Sequence, residues 1–230
     1  KELDTALVDL KKTTTMTASE LEEFYYDANE TAKEMGVTTQ QIIEQASAWS
    51  RLGFSSADAA TKMAKYSSMF KTISPGMDLD SATDGLVSIM KAFKIGLDDS
   101  DEVVDGIMSK INVIGNSKAL NNSDIVEFLR RSSSAMAEAN NSLEETKALG
   151  EAAVEITRDA SNTGQVLKTT SMRIRGYDEE AQSYTEELEN LKGEIADLTK
   201  TAKTPGGISL FTDDTKETYK STYKIIEEIS

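Results

Sequence analysis

The sequence contains no cysteine and no histidine among its 230 residues. This absence removes disulfide frameworks, thiolate and imidazole metal sites, and every Ser-His or Cys-His nucleophile arrangement. No glycine-rich phosphate loop is present either, because "TPGGIS" lacks the Lys and Ser/Thr that complete one. The sequence therefore predicts a protein that is not an enzyme and that binds no metal and no cofactor.

Basic residues and long apolar runs are also scarce. The chain has 25 basic against 40 acidic residues, a formal net charge of −15, and this is the wrong sign for binding nucleic acid or an anionic membrane. No apolar stretch approaches the roughly 18 residues that span a bilayer, and no signal peptide opens the chain. We therefore expect no direct nucleic-acid binding and no membrane span, and we attribute the acidic surface to solubility.

Prolines are limited to Pro75 and Pro205, each beside a glycine, and most of the chain has the apolar spacing of short helices. Capping boxes, in which two side chains satisfy backbone N–H groups reciprocally, open helices at Thr17–Glu20, Thr38–Gln41 and Ser142–Glu145. Further helix starts are predicted at Ser55, Asp80, Ser123 and Thr163. Strand-like alternation is confined to the brief "GISLF". The fold class predicted is all-α.

Several helix starts recur about every 40 residues, which is the repeat length of α-solenoids. The segments between them share no positional self-similarity, so we favour an irregular multi-helix bundle of short capped helices. Within it, the spacing of Trp49 from Ile42 and Ala46 predicts a core residue rather than a ligand platform. The serine cluster "RRSSSAM" has no base partner, and such small residues are typical of close helix packing.

A different pattern follows Gly176, where apolar residues recur at alternating steps of four and three from Tyr177 to Ala202. The central seam positions are Tyr184, Leu188, Leu191, Ile195 and Leu198. A seam of more than three heptads is typical of a coiled coil or a long helical hairpin arm. Its acidic residues would repel one another in a parallel dimer. Self-association thus remains open, but we favour packing on its own domain or on a helix with Tyr219, Tyr223 and Ile226.

The stretch "QVLKTTSMRIRG" carries two arginines one residue apart at the end of a predicted helix. Residues two apart point to different faces, so Arg173 and Arg175 cannot jointly bind one anion while the helix continues. Positive charge in the last turn complements exposed carbonyl groups, and Gly176 is suited to a left-handed stop. This stretch is therefore interpreted as the end of a helix and not as a ligand site.

Four segments between about Gln41 and Gly176 carry a recognisable order: "ASAWSRLGFSSADAA", "LVSIMKAFKI", "VVDGIMSKINVIGN...NSDIVEFLRRSSSAMAEANNSLEE" and "LKTTSMRIRG". Together they resemble the core domain of phage tail tape-measure proteins from long-tailed phages and prophages of Gram-positive bacteria. The final "STYKIIEEIS" is similar to the segment that follows in that family, whereas "ITRDASNTGQ" replaces a turn that usually contains proline. The resemblance implies these family-motif positions: Trp49, Arg51, Gly53, Phe54, Arg130, Arg131, Ser132, Met172, Arg173, Arg175 and Gly176.

The resemblance implies a structural role. Tape-measure proteins are long helical chains around which tail-tube subunits polymerise, so that chain length sets tail length, and they leave the tube during DNA ejection. Tail-tube subunits, tail-assembly chaperones and tail-tip proteins are the implied partners. The implied locations are the lumen of the virion tail and, during assembly, the host cytoplasm. The alternatives are an acidic helical protein-binding module, such as a chaperone-like or secreted effector domain, and a membrane-acting domain.

The domain organisation expected is an N-terminal helical segment (1–36), a compact helical core of tape-measure type (37–176), a heptad-patterned helix (177–203), and a Gly/Pro turn with the start of a further helix (204–230). A fully helical chain of this length would extend about 345 Å, but the caps, the glycines and Pro75 favour a compact body. Because the chain starts without methionine and stops within "YKIIEEIS", we expect a fragment of a longer protein. We expect that this segment folds compactly and then rearranges, or stays near the tail end.

Overall fold

The computed structural model describes residues 2–54, 56–96, 105–106, 109, 121–178, 183–184, 188–201, 204–212 and 218–230. For residues 177–178, 183–184 and 188–192 it describes the backbone alone. Most of residues 103–116, which contribute to the third recognisable segment, lie outside the described part. Helices account for nearly all regular structure in the described part, which confirms the all-α class.

Ten α-helices have described bounds. They are α1 (Glu2–Thr13), α2 (Ala18–Met35), α3 (Thr39–Ser50), α4 (Ala57–Ile73), α5 (Leu79–Ala92), α6 (Asn122–Glu138), α7 (Leu143–Thr157), α8 (Ala160–Ile174), α9 (Leu188–Leu198) and α10 (Thr222–Ile229). Between α8 and α9, strands β1 (Tyr177–Asp178) and β2 (Ser183–Tyr184) form an antiparallel ladder in which Tyr177 faces Tyr184.

The chain divides into two compact units. The N-terminal unit comprises the described residues within 1–87, 96–117 and 121–123, and the C-terminal unit comprises those within 88–95, 118–120 and 124–230. Among the described residues, none of the helices combines the length and apolar character needed to cross a membrane.

Helix starts follow the local sequence closely. All three predicted capping boxes are formed, at Thr17–Glu20, Thr38–Gln41 and Ser142–Glu145. Gly36 takes the predicted left-handed conformation at φ 66° and ends α2.

Three other starts were predicted a few residues too late or too early, because a neighbouring polar residue takes the capping role. Ser56 rather than Ser55 caps α4. The side chain of Asp78 rather than Asp80 accepts the backbone N–H of Ser81, at 2.7 Å. Asp159 rather than Thr163 caps α8. Each stretch offers more than one Ser, Thr or Asp, so the local sequence alone does not fix which of them becomes the cap.

The N-terminal unit is organised around α3, which packs against α1, α2 and α4. Its apolar stripe carries Ile42, Ile43 and Ala46, all of them fully buried. Phe24 on α2 and Leu10 on α1 are buried in the same cluster. Burying a large aliphatic or aromatic side chain contributes about 1.5–3 kcal/mol, so this cluster contributes substantially to the stability of the unit.

The C-terminal unit depends on a close approach between α6, α7 and α8. A Cβ added at Gly150 on α7 would lie 2.1 Å from the Phe128 ring on α6. A Cβ at Gly164 on α8 would lie 2.9 Å from both the Arg131 Cβ and the Phe128 carbonyl oxygen. Only glycine leaves room for these approaches, and the fully buried Phe128 fills the space that the two glycines provide.

The structure corrects the heptad arm. The predicted helix from Tyr177 to Ala202 is wrong in its first part, because Tyr177 and Tyr184 belong to the β-ladder, and the helix described after it is α9 (Leu188–Leu198). Gly176 turns the chain at φ 80° immediately before this ladder. Apolar residues at steps of four and three form a stable helix only where their shared face packs against another surface. Tyrosine, moreover, is also favoured in strands.

Two seam residues have described side chains. Ile195 packs against a small cluster of Leu210, Phe211 and Ile225, which agrees with packing on the same chain, whereas Leu198 is 86% exposed. Of Tyr184, Leu188 and Leu191 only the backbone is described. The apolar seam is therefore observed in contact with the body only at Ile195.

The "GISLF" stretch is not a regular strand. Its Phe211 makes an isolated antiparallel bridge with Tyr219, so Tyr219 lies outside the helix in which it was predicted. The stretch begins with a tight turn at Gly207 (φ 74°). A Cβ at this position would lie 1.9 Å from the Ala196 carbonyl oxygen, so the turn requires glycine. The Gly207 N–H donates to the Thr204 carbonyl at 2.9 Å. This turn thereby packs directly against the last turns of α9.

The glycine contact on Phe128 gives a test of this packing. We expect Gly150→Ala to lower the free energy of unfolding by about 1–2 kcal/mol, because overpacking outweighs the gain in helix propensity. Gly193→Ala, in the interior of α9 with nothing within 4 Å of the added Cβ, should instead stabilise by up to about 1 kcal/mol. Urea unfolding followed by circular dichroism measures both. A stabilising Gly150→Ala would contradict the close approach.

Candidate functional site

The family-motif residues lie in three separate places, and the first is the end of α3. Trp49 is fully buried and donates from Nε1 to the Ser67 hydroxyl on α4 at 2.9 Å, which confirms its core position. Its ring meets that of Phe54 edge to face, with centroids 5.2 Å apart. Gly53 takes φ 105° and brings the chain back over the helix end. Arg51, the C-cap residue, is exposed.

This first motif terminates a helix. The Trp49 carbonyl accepts from the N–H groups of Leu52 and Phe54, at 2.9 and 3.2 Å. Backbone hydrogen bonding and the aromatic contact therefore act together to close α3. A ligand is not needed to explain why this segment has its sequence.

The second motif lies on α6, where two arginines share one carboxylate. Arg130 and Arg131 both donate to Glu127, at distances from 2.6 to 3.1 Å. Partial burial raises the pKa of Glu127, but the hydrogen bonds from Arg131 and Arg130 outweigh it and hold that pKa below its ordinary 4.5. The buried Ser132 hydroxyl donates to the Phe128 carbonyl at 2.7 Å. The arginines are thus engaged within their own helix.

The third motif ends α8, and its two arginines have different roles, as their spacing predicts. Arg173 is exposed, and Gly176 takes the left-handed conformation at φ 80°. Met172 is half-buried, and its carbonyl accepts the Arg175 N–H at 3.1 Å. Arg175 points to other segments of the chain, where it contacts the main chain at Glu138 and Lys220.

Arg175 joins two distant backbone segments. Its guanidinium donates to the carbonyl of Glu138, the last residue of α6, and to the carbonyl of Lys220, both at 3.3 Å. It also lies over the Tyr219 ring, 5.1 Å from the centroid. The positive charge of Arg175 therefore complements the exposed carbonyl groups at the C-terminus of α6. The sequence had predicted that it would complement those of α8.

Two asparagines between α6 and α7 complete the contacts around these helix ends. Asn140, at φ 57°, donates to the Tyr219 carbonyl at 2.9 Å. Asn141 is buried and donates to the carbonyls of Met136 and Ala139 at the end of α6. Its carbonyl oxygen accepts the backbone N–H of Tyr223, at 2.9 Å, in the first turn of α10. One side-chain amide thus serves the C-terminus of one helix and the N-terminus of another.

The start of α7 contributes a further link. Glu145 completes its own capping box through one carboxylate oxygen, and the other accepts the hydroxyl of Ser221, the N-cap residue of α10, at 3.0 Å. Thr222 donates to Ser171 at 3.1 Å, and Ser171 donates to the Met136 sulfur at 2.8 Å. We call the site formed by Asn140, Asn141, Glu145, Arg175 and Ser221 the capping junction.

The capping junction holds helix ends and offers no obvious reactive group. Its members bind main-chain atoms or other capping side chains, which is a positioning role. Among the described residues, no group of three or more acidic side chains is arranged to hold a metal ion. Sequence reasoning identified Arg175 and Glu145 but missed Asn140, Asn141 and Ser221. The "NNS" turn before a capping box was the available signal.

Comparison with known families assigns the chain to a broader class than the one that its motifs predict. The sequence model of a family described as "Phage-related minor tail protein" matches residues 25–230. The chain belongs to this family. As a minor tail protein it is a structural component of the virion tail and acts with other tail-assembly components. Neither the curated proteins nor the solved structures contain a significant match to the chain.

The Glu127 cluster of this minor tail protein gives a pH-dependent test. Because folding lowers the pKa of Glu127, its carboxylate stabilises the fold above its unfolded pKa, and that contribution is lost as pH falls through the folded value. We expect Glu127→Gln to cost less than about 1 kcal/mol at pH 7. The deficit should shrink as the pH is lowered from about 5 towards 2.

Urea unfolding at several pH values measures this difference. Glu22→Gln, which removes an exposed carboxylate from α2, controls for the change in net charge. A deficit for Glu127→Gln that is the same at every pH would show that the ionised carboxylate is not the stabilising form.

Proposed function

We propose that this minor tail protein is a segment of a tail tape-measure protein. In this role, the full protein is the scaffold on which the tail tube polymerises, its length sets the tail length, and it is released during DNA ejection. The observation that carries the proposal is the match to the minor tail family over residues 25–230. The order of the four recognisable segments supports the finer assignment, and it favours tail assembly over a chaperone-like or effector module.

The contacts of the motif residues suggest what this segment contributes. Trp49 and Phe54 close a helix, Arg131 lies on the α6 face that Gly164 approaches, and Arg175 joins helix ends. All three motifs stabilise folded units and none of them favours one extended helix. We therefore propose that the segment is a folded body of the tape measure, which rearranges or stays near the tail end.

The proposed partners are tail-tube subunits, tail-assembly chaperones and tail-tip proteins, and the proposed location is the lumen of the tail. Self-association through the seam stays a prediction, and it now depends on α9, where Leu198 is 86% exposed. An enzymatic role is not proposed.

Disruption of the gene that encodes this chain tests the tape-measure role. We expect particles with no tails, or with tubes of widely varying length, in electron micrographs of lysates. Complementation with the intact gene should restore one uniform length. Tails of normal and uniform length without the gene product would overturn the proposal.

An internal deletion separates the folded body from a plain ruler. Removing residues 143–174, which form α7 and α8, takes away about 48 Å of chain at the helical rise of 1.5 Å per residue. If the native segment is a folded body, this deletion disrupts the fold and should block tail assembly or lower the yield of particles. It should not shorten the tails by about 48 Å. Proportionally shorter tails in normal numbers would contradict the folded body. Gly150→Ala is the matched control, because it perturbs the same helices without shortening the chain.

A further inference from the structure

Helix α10, at the end of the C-terminal unit, is held to the rest of the unit by few buried side chains. Helix α10 has eight residues, and only Thr222 and Ile225 are buried in it. Among the described residues, the apolar cluster around Ile225 has three buried members, whereas the cluster around α3 has eleven. With two buried side chains, the described residues of α10 supply little apolar contact to hold the helix in place.

The docking of α10 includes five side-chain hydrogen bonds, of which one is exposed, three are partly buried and one is buried. Asn140, Asn141 and Arg175 bind the main chain at Tyr219, Tyr223 and Lys220, respectively. Side-chain bonds from Ser221 to Glu145 and from Thr222 to Ser171 add to these. Water can replace the exposed and partly buried bonds at modest cost once a few have broken.

We propose that residues 219–229 form a strap that detaches from the rest of the C-terminal unit in one cooperative step, with Arg175 as its latch. Opening breaks the capping junction and the main-chain bond from Lys220 to Leu210, and α10 unfolds with it because its first turn loses its partners. Helices α6, α7 and α8 stay folded, since their glycine-mediated packing on Phe128 does not involve the strap.

Arg175 is the latch because it contacts both sides of the opening. One arm of its guanidinium holds the end of α6 and the other holds the strap carbonyl of Lys220, while the Tyr219 ring lies beneath it. A lysine keeps the charge but lacks the planar fork that reaches two acceptors at once. Opening would uncover Leu210, Phe211 and Ile225, which are buried in the closed form. This inference concerns the fold of the chain and holds whether or not the protein is a tape measure.

Hydrogen exchange of the full chain, followed by NMR, tests the strap. The amides of Tyr223, Lys224 and Ile225 bond to three different acceptors, yet one opening step should give them the same opening constant. That constant should be at least about tenfold larger than for amides in the middle of α6 and α8. If the strap amides share the opening constant of α6 and α8, no separate strap exists.

Variants test the latch. Arg175→Lys should speed exchange of the strap amides by about tenfold and leave the α6 and α8 amides unchanged. Arg173→Lys, at an exposed position two residues earlier, is the matched control and should change neither set. Equal acceleration throughout the unit, no acceleration in the strap, or the same effect from Arg173→Lys would overturn the role of Arg175.

A second variant covers the case in which Arg175→Lys does not fold. Asn140 has φ 57°, a conformation that glycine adopts readily, so Asn140→Gly removes the bond to the Tyr219 carbonyl without straining the turn. It should also speed exchange selectively in the strap, by a smaller factor of about three to ten. Unchanged strap exchange in Asn140→Gly would contradict the proposal independently of Arg175.

Discussion

The main constraint on this fold is that every helix end leaves backbone N–H or C=O groups without a partner in the helix. A chain with many short helices has many such ends, and this one satisfies them with side chains from its own sequence. Capping boxes serve the starts of α2, α3 and α7. Glycines in left-handed conformation serve several ends, as at Gly36 and Gly176. The compactness of each unit follows, because a capped helix cannot continue straight into the next one.

The two units meet this constraint in different ways. In the N-terminal unit, caps are mostly local and the apolar cluster around α3 supplies the stability. In the C-terminal unit, the ends of α6 and α8 and the starts of α7 and α10 share the capping junction, so the side chain that caps one helix also binds another. There, the hydrogen bonds that cap the helices are also the ones that hold the helices together. A minor tail protein with such a unit has a well-defined folded state that depends on few apolar residues at its edge.

The sequence predicted features that depend on neighbours within a few residues. The capping boxes, the stop at Gly36 and the burial of Trp49 all follow from spacings of three or four residues, and all are confirmed. The partners of Arg175 could not be predicted, because Glu138 and Lys220 lie 37 and 45 residues away. The β-ladder at Tyr177 was missed because its apolar spacing also fits a helix, and spacing alone does not reveal whether a seam has a surface to pack on.

The hydrogen bonds of Asn140, Asn141 and Arg175 in the capping junction join side-chain atoms to main-chain atoms. On one side the bonding atoms belong to side chains, of Asn140, Asn141 and Arg175. On the other they are the carbonyls of Tyr219 and Lys220 and the amide of Tyr223. Main-chain atoms are the same in every residue except for the missing N–H of proline. Through these bonds the junction recognises the path of the bound segment, while the side chains of Tyr219, Ser221 and Thr222 add contacts that depend on residue type.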